Sequence, residues 1–333
     1  MEPGVAFHAR QELRKQEQEQ EQQLQSATKK EHGGDGGVGK EKKRDPYSLT
    51  AYGGTGEEEL EIENLASVSV FPVGPTQTNC VLVLDNETAT LTVINPGGDF
   101  GNIVKEIKTL LAQAQLEATR ITHILLTSGH VGNMMALKPL LAICEGRVDV
   151  CLHERDSVLY DRARLQATEL GFDNLLPDDF QPLPQTNFAP EHDQELISGR
   201  VKIKCLHTPG SSPGAMCYYF PQLNIACTGD TLLTLAVGRT SWMGIKSLEG
   251  TGNARVLRRS IDEVLMEMVP SDATVIPGHG PITNLRAELH QNAFLRKLSH
   301  RWSSYDDAMK LREMQAAEQK RREADPYGDG LPF

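Results

Sequence analysis

Twice along this chain a run of short, β-branched segments gives way to an amphipathic helix and a buried strand, and that repeat limits the fold more than any other feature. In the first half, Ser67-Val-Ser-Val-Phe71, Asn79-Cys-Val-Leu-Val-Leu84 and Thr90-Leu-Thr-Val-Ile94 read as strands, each bounded by Pro, Gly, Asn or Asp. Ile103, Ile107, Leu110, Leu111 and Ala114 then recur at helical spacing and predict a helix over 103–115. Ile121–Leu126 follows as a strand, 134–144 as a helix and 148–152 as a strand. The second half repeats the scheme, with strands at 201–206, 215–220 and 224–227, a helix over 254–268 and a strand at 274–276. Two such halves pack sheet against sheet with helices outside. A further helix is expected from Leu285 through Trp302, then a polar one from Tyr305 to Glu323.

With 333 residues, 39% of them hydrophobic, the chain can bury a large core. A net charge of -11 argues against a nucleic-acid surface, which needs clustered Lys and Arg. The six cysteines are scattered through apolar segments without a CxxC pair, as suits a reducing compartment. No apolar run is long enough to span a membrane, and the N-terminus lacks the apolar core of a secretory signal. The expected location is the cytoplasm, with a ciliary or cytoskeletal assembly as one setting and a mitochondrion as a weaker alternative.

The sequence divides into a polar N-terminal arm (1–64), a folded domain (65–300) and a charged C-terminal helix and tail (301–333). The arm holds a Gln/Glu/Lys-rich stretch and a glycine-rich linker and shows no apolar face. It reads either as a disordered tail or as a docking segment, and protein partners are expected to be reached through the arm and the C-terminal helix.

Four ordered segments carry a family likeness. Phe71-Pro-Val-Gly-Pro-Thr-Gln-Thr-Asn79 is followed by Asn95-Pro-Gly-Gly-Asp99. Next come Thr122-His-Ile-Leu-Leu-Thr-Ser-Gly-His-Val-Gly-Asn133 and His207-Thr-Pro-Gly-Ser-Ser-Pro-Gly214. Cys227-Thr-Gly-Asp230 and Ile276-Pro-Gly-His-Gly-Pro281 complete the series. Over residues 67–297 the chain resembles the glyoxalase II-like hydrolases of the metallo-β-lactamase superfamily. The resemblance implies an α+β fold, the αβ/βα four-layer sandwich of two mixed β-sheets face to face with helices on both outer sides. It also implies a rim where His and Asp side chains hold two zinc or iron ions, which activate water for attack on a thioester or ester.

Carried over one position at a time, the metal ligands are mostly gone. His130, Asp230 and His279 match ligand positions, whereas Ser128, Gly132, Asn133 and Ser211 stand where the family has His, Asp, His and His. Serine and asparagine oxygens are weak, neutral substitutes for imidazole. The expectation is therefore a catalytically inactive domain with no catalytic residues and no cofactor, acting as a structural or interaction subunit. Two alternatives stay open: a thioester or ester hydrolase with one Zn or Fe ion on His130, Asp230 and His279, and a sensor that binds a small molecule in the old cleft. His123, His153 and Cys227 read as core residues, and His290 and His300 carry no assigned chemistry.

Overall fold

The computed structural model describes residues 65–144, 146–172, 176, 190–242, 245 and 247–296. The N-terminal arm and the C-terminal helix and tail expected from sequence lie outside these residues. The first sheet runs in the order β1-β2-β3-β4-β5, from Ala66–Val73, Thr78–Asp85, Thr90–Ile94, Arg120–Leu125 and Asp149–Cys151. β1, β2 and β3 pair antiparallel, and β3, β4 and β5 pair parallel. The second sheet comprises β6 (Gln194–Ser198), β7 (Val201–His207), β8 (Met216–Phe220), β9 (Ile225–Gly229), β12 (Thr274–Pro277) and β13 (Thr283–Asn284). Its order is β13-β12-β9-β8-β7-β6, with β9 and β12 parallel and the other neighbours antiparallel. A separate hairpin joins β10 (Leu232–Leu233) to β11 (Ala236–Val237).

Side-chain alternation explains why the central strands are apolar throughout. In β2, Val81 and Val83 face the second sheet, while Cys80, Leu82 and Leu84 face the first helical layer. β8 does the same: Met216, Tyr218 and Phe220 fill the space between the sheets, and Cys217 and Tyr219 pack under the other helices. A strand covered on both faces reads as a continuous apolar run. The layers are thus helices, sheet, sheet, helices, the sandwich expected from sequence.

Outside the first sheet lie α1 (Phe100–Gln113), α2 (Leu137–Ala142), α3 (Ser157–Asp161) and α4 (Ala163–Leu170). α5 (Ala254–Arg259) continues through a π-helical stretch, Ser260–Leu265, into Met266–Met268 outside the second sheet. Two helices depart from expectation. The one expected over 134–144 is confined to Leu137–Ala142, because the chain before it forms the tight turn Val131–Asn133. The one expected from Leu285 through Trp302 breaks at Asn292 into α6 (Leu285–Gln291) and α7 (Ala293–Arg296). Asn292 leaves the helical region (φ -72, ψ 117), donates from Nδ2 to Ala236 O and Glu288, and accepts from Phe294 N. A tertiary hydrogen bond to the β10–β11 hairpin thus overrides local helix propensity. β6, α3 and α4 had no strong sequence signal; β6 is an edge strand whose residues 194–197 are only half-buried or exposed.

At the end of the sandwich away from the family loops, Asp85 at the foot of β2 joins the two sheets. Its fully buried carboxylate takes Arg200 Nη2 at 2.8 Å and Arg200 N at 2.6 Å. Gly199, at φ +62, makes that approach possible, since a Cβ there would collide with Asp85, Thr88 and Thr90. Burial alone would push the Asp85 carboxyl up, but the Arg200 side chain and backbone donors outweigh it and hold it well below the usual carboxylate range. A group with a depressed folded-state pKa stabilises above its unfolded value of 3.8 and loses that contribution as pH falls through the folded one. Urea midpoints are therefore expected to hold from pH 7 down to about pH 5 and then drop, and Arg200→Met should lower the neutral midpoint and flatten the acid limb. An acid limb of unchanged slope in Arg200→Met would remove this pair from the account.

Candidate functional site

Strand ends bring the sequence-predicted residues to one rim. His130 lies in the loop after β4, Ser211 between β7 and β8, Asp230 directly after β9 and His279 two residues after β12. β9 and β12 run parallel with Gly229 opposite Pro277, and Gly278 N donates to Gly229 O at 2.8 Å, so Asp230 and His279 emerge side by side. Gly229, at φ +51, passes so close to Thr127 that a Cβ would lie 2.6 Å from that side chain. Thr127 is held in turn by Asn95, whose Oδ1 accepts Thr127 N at 2.9 Å. The Asn-Pro-Gly-Gly turn thus fixes the start of the loop that carries His130.

His279 Nδ1 and Asp230 Oδ1 are 2.9 Å apart, and the other ring nitrogen of His279 lies 3.4 Å from Thr78 Oγ1. His130 Nδ1 is 3.9 Å from Asp230 Oδ2 and 3.0 Å from Ser128 Oγ. Asn133 Nδ2 donates to the same Ser128 oxygen at 2.8 Å. Ser128, His130 and Asn133 therefore form one buried network beside the Asp230–His279 pair, and Ser211 is buried alongside with 1% exposure. A Cβ at Gly132 would meet Thr76 Oγ1 at 2.7 Å, so Thr76 occupies the room a larger residue would need. Burial raises the Asp230 carboxyl, but the hydrogen bond from His279 and the charges of His279, His130 and Arg239 prevail and the net shift is downward. Burial alone would lower His279, yet Asp230 pushes it above the ordinary histidine value.

The last loop is tied to the first sheet by Asn79, whose Nδ2 donates to Pro277 O at 2.9 Å and Gly280 O at 2.8 Å. On the open side, the Trp242 ring is tilted 5.2 Å from the His130 ring, and the Arg239 guanidinium lies over Trp242 at 5.0 Å. Asp99, Gly74 and Met135 help line a shallow depression of about 480 Å³ that contains none of the predicted site residues.

Sequence reasoning missed Asp156. Its buried carboxylate accepts from Gly129 N at 2.8 Å, Ser212 Oγ at 2.6 Å and Gly214 N at 2.5 Å, and so clamps the His130 loop to the Ser211 loop. Gln166 reinforces the first of these, accepting from Val131 N at 2.9 Å and donating to Gly129 O at 3.1 Å. The local signal at Asp156 points elsewhere: it precedes α3 as an N-cap residue would, yet its side chain makes no cap bond. His153 and His207 stack at 3.9 Å, and burial is the leading cause that holds both below the ordinary histidine value, His153 at about 4. Cys227 is a buried core thiol pushed up by burial. His123 is half-buried, with Nδ1 3.0 Å from Thr122 Oγ1.

Two mixed sheets face to face between helical layers, with His- and Asp-bearing loops at one rim, define the class, and the chain belongs to the metallo-β-lactamase superfamily, whose profile matches residues 73–281. Among its relatives is the hydroxyacylglutathione hydrolase GloC of Haemophilus influenzae, 30% identical over 234 residues, covering 70% of this chain and all of that protein. The probable metallo-hydrolase YqgX of Bacillus subtilis is 29% identical, covering 69% of this chain and 97% of its own. Among solved structures, a di-iron-bound form of TTHA1623 aligns at 30% identity and TM-score 0.52, covering 68% of this chain and 100% of that one. The BLEG-1 B3 metallo-β-lactamase aligns at 26% identity and TM-score 0.55, covering 69% and 99%.

Proposed function

We propose that this chain keeps the fold of a glyoxalase II-type metallo-hydrolase without its two-metal chemistry, and works as a structural or interaction subunit. The observation that carries the reading is the make-up of the rim. Ser128, Gly132, Asn133 and Ser211 stand in four ligand positions, and Ser128 and Asn133 are engaged in hydrogen bonds around His130. The remaining set does not fit a two-metal centre. One ion would keep His130 and Asp230 and the other Asp230 and His279, whereas a catalytic zinc takes about three protein ligands plus water. Asp230 Oδ1 is moreover hydrogen-bonded to His279 Nδ1. Among the described residues, no group of three His, Cys, Asp or Glu is placed to hold a metal ion.

Partners in this reading are proteins, engaged through 1–64 and 301–333, in the cytoplasm. No helix among the described residues is long and apolar enough to cross a membrane. A second reading draws on the closeness of Asp230 to both histidines: one Zn or Fe ion held by His130, Asp230 and His279 would polarise an ester or thioester carbonyl.

Elemental analysis for zinc, iron and manganese, together with hydrolysis of a glutathione thioester by wild type and His279→Ala, separates the two. The expected result is less than about a tenth of an ion per chain and no activity above the variant. About one ion per chain, with activity lost in His279→Ala, would overturn the metal-free reading in favour of the second.

A further inference from the structure

Five buried side-chain atoms have no hydrogen-bond partner among the described residues, and three of them, His130 Nε2, Ser211 Oγ and Trp242 Nε1, belong to segments at the rim of the site. The His130 side chain is 10% exposed and the Ser211 residue 1%, so both are buried to nine-tenths or more. Folded proteins seldom leave a buried polar atom unpaired, and three at one rim call for a common partner.

The loops bring these atoms together. Gly129 N and Ser212 Oγ converge on the same oxygen of Asp156, which sets their neighbours His130 and Ser211 on facing loops. Trp242 closes the corner through its contact with the His130 ring, and Arg239 covers Trp242 from the solvent side. The Arg239 guanidinium has no hydrogen bond or ion pair with any other described residue; its charge acts on Asp230, which partly offsets that carboxylate.

These groups are donors. An indole N–H can only donate, a guanidinium carries five N–H groups and no acceptor, and a serine hydroxyl donates freely. The Ser128 oxygen accepts from Asn133 Nδ2 and, at 3.4 Å, from His130 N, which together occupy its two lone pairs; its hydrogen is then assigned to His130 Nδ1 and the ring proton to Nε2. Four donors on loops joined by the Asp156 clamp and the His130–Trp242–Arg239 contacts, one of them a planar fork, match an oxyanion.

We propose that this corner is a metal-free binding site for a small oxyanion, a carboxylate or a phosphate, held by Arg239, Trp242, Ser211 and His130. The site rests on the metal-free reading above and gives that reading a ligand class: the donors take over the anion-binding task that metal ions would otherwise perform.

The test is calorimetric titration of the full chain, on a sample whose metal content has been measured, with inorganic phosphate and separately with acetate. Saturable heat is expected from one or both, with half-saturation raised about tenfold in Arg239→Gln and in Ser211→Ala. Phosphate alone identifies a tetrahedral ligand, and acetate alone a carboxylate. Arg239 is exposed, so its variant should leave the fold unchanged, which the thermal midpoint checks. No saturable heat from either anion, or unchanged half-saturation in both variants, overturns the site. The two proposals fail differently: a sample with about one metal ion per chain overturns both, whereas a metal-free sample that binds neither anion overturns the site alone.

Discussion

Replacing Asp156 with alanine is expected to destabilise the protein by about 3–5 kcal/mol, among the largest effects of any single substitution outside the apolar core. The carboxylate accepts from Gly129 N, Gly214 N and Ser212 Oγ, and Asp156 itself has no exposed surface. Each buried donor left unsatisfied costs about 1–3 kcal/mol, and the losses are not strictly additive because the three share one acceptor group. Asp156 is packed closely against both glycines. A Cβ at Gly214 would lie 2.8 Å from Asp156 Cγ, and one at Gly129 would lie 2.6 Å from Asp156 O. Asp156→Asn keeps an acceptor oxygen and should lose markedly less. Urea unfolding of both variants measures the difference. A loss below about 1 kcal/mol in Asp156→Ala would mean that Gln166 and the strand ends hold the two loops without the clamp.

The second large effect is a gain. A chain carrying Ser128→His, Gly132→Asp, Asn133→His and Ser211→His together is expected to move from less than about a tenth of a metal ion per chain to nearly two, because every position then has an imidazole or carboxylate. Thr76→Ala belongs in the same variant, since Thr76 Oγ1 lies 2.7 Å from where the Cβ at position 132 must go. The backbone needed to aim these side chains is in place: β9 and β12 set positions 230 and 279 side by side, and Asp156 sets the 128–133 loop against the 208–214 loop. Ser211→His alone should gain about one ion at most, because one added imidazole brings a single site to three ligands and leaves the other with two. Elemental analysis of the folded five-substitution protein checks the expectation. If it stays metal-free, missing ligands are not the whole reason that the metal chemistry is absent from the proposed function, and the loops themselves must have moved.

How much of this was legible from sequence depends on the range of the interaction. Short-range preferences located β3 at Thr90–Ile94 and β8 and β12 to within a residue, because β-branched and apolar runs between Pro, Gly and Asn state their conformation locally. Motif order put His130, Asp230 and His279 in loops that follow strands, and the resemblance led to the expectation that Ser128, Gly132, Asn133 and Ser211 replace ligands. Long-range polar contacts were not legible. Asn79 looked like the start of a strand, yet its side chain holds Pro277 O across 198 residues of sequence. Asn292 looked like the middle of a helix, and a hydrogen bond to Ala236, 56 residues away, ends the helix there.

From sequence alone, then, came the two-sheet sandwich, which follows from residue type and from periodicities that act within a few positions. The rim where the loops meet, and the expectation that metal ligands are replaced there, came from the motifs that resemble the family. Only the tertiary structure decided that Asp230 hydrogen-bonds His279 at 2.9 Å while His130 stands 3.9 Å away, that Asp156 clamps two loops, and that Trp242 packs on the His130 ring beneath Arg239. Those outcomes depend on which buried donors and acceptors come within about 3 Å of one another once the sheets have packed, and no local pattern encodes that distance.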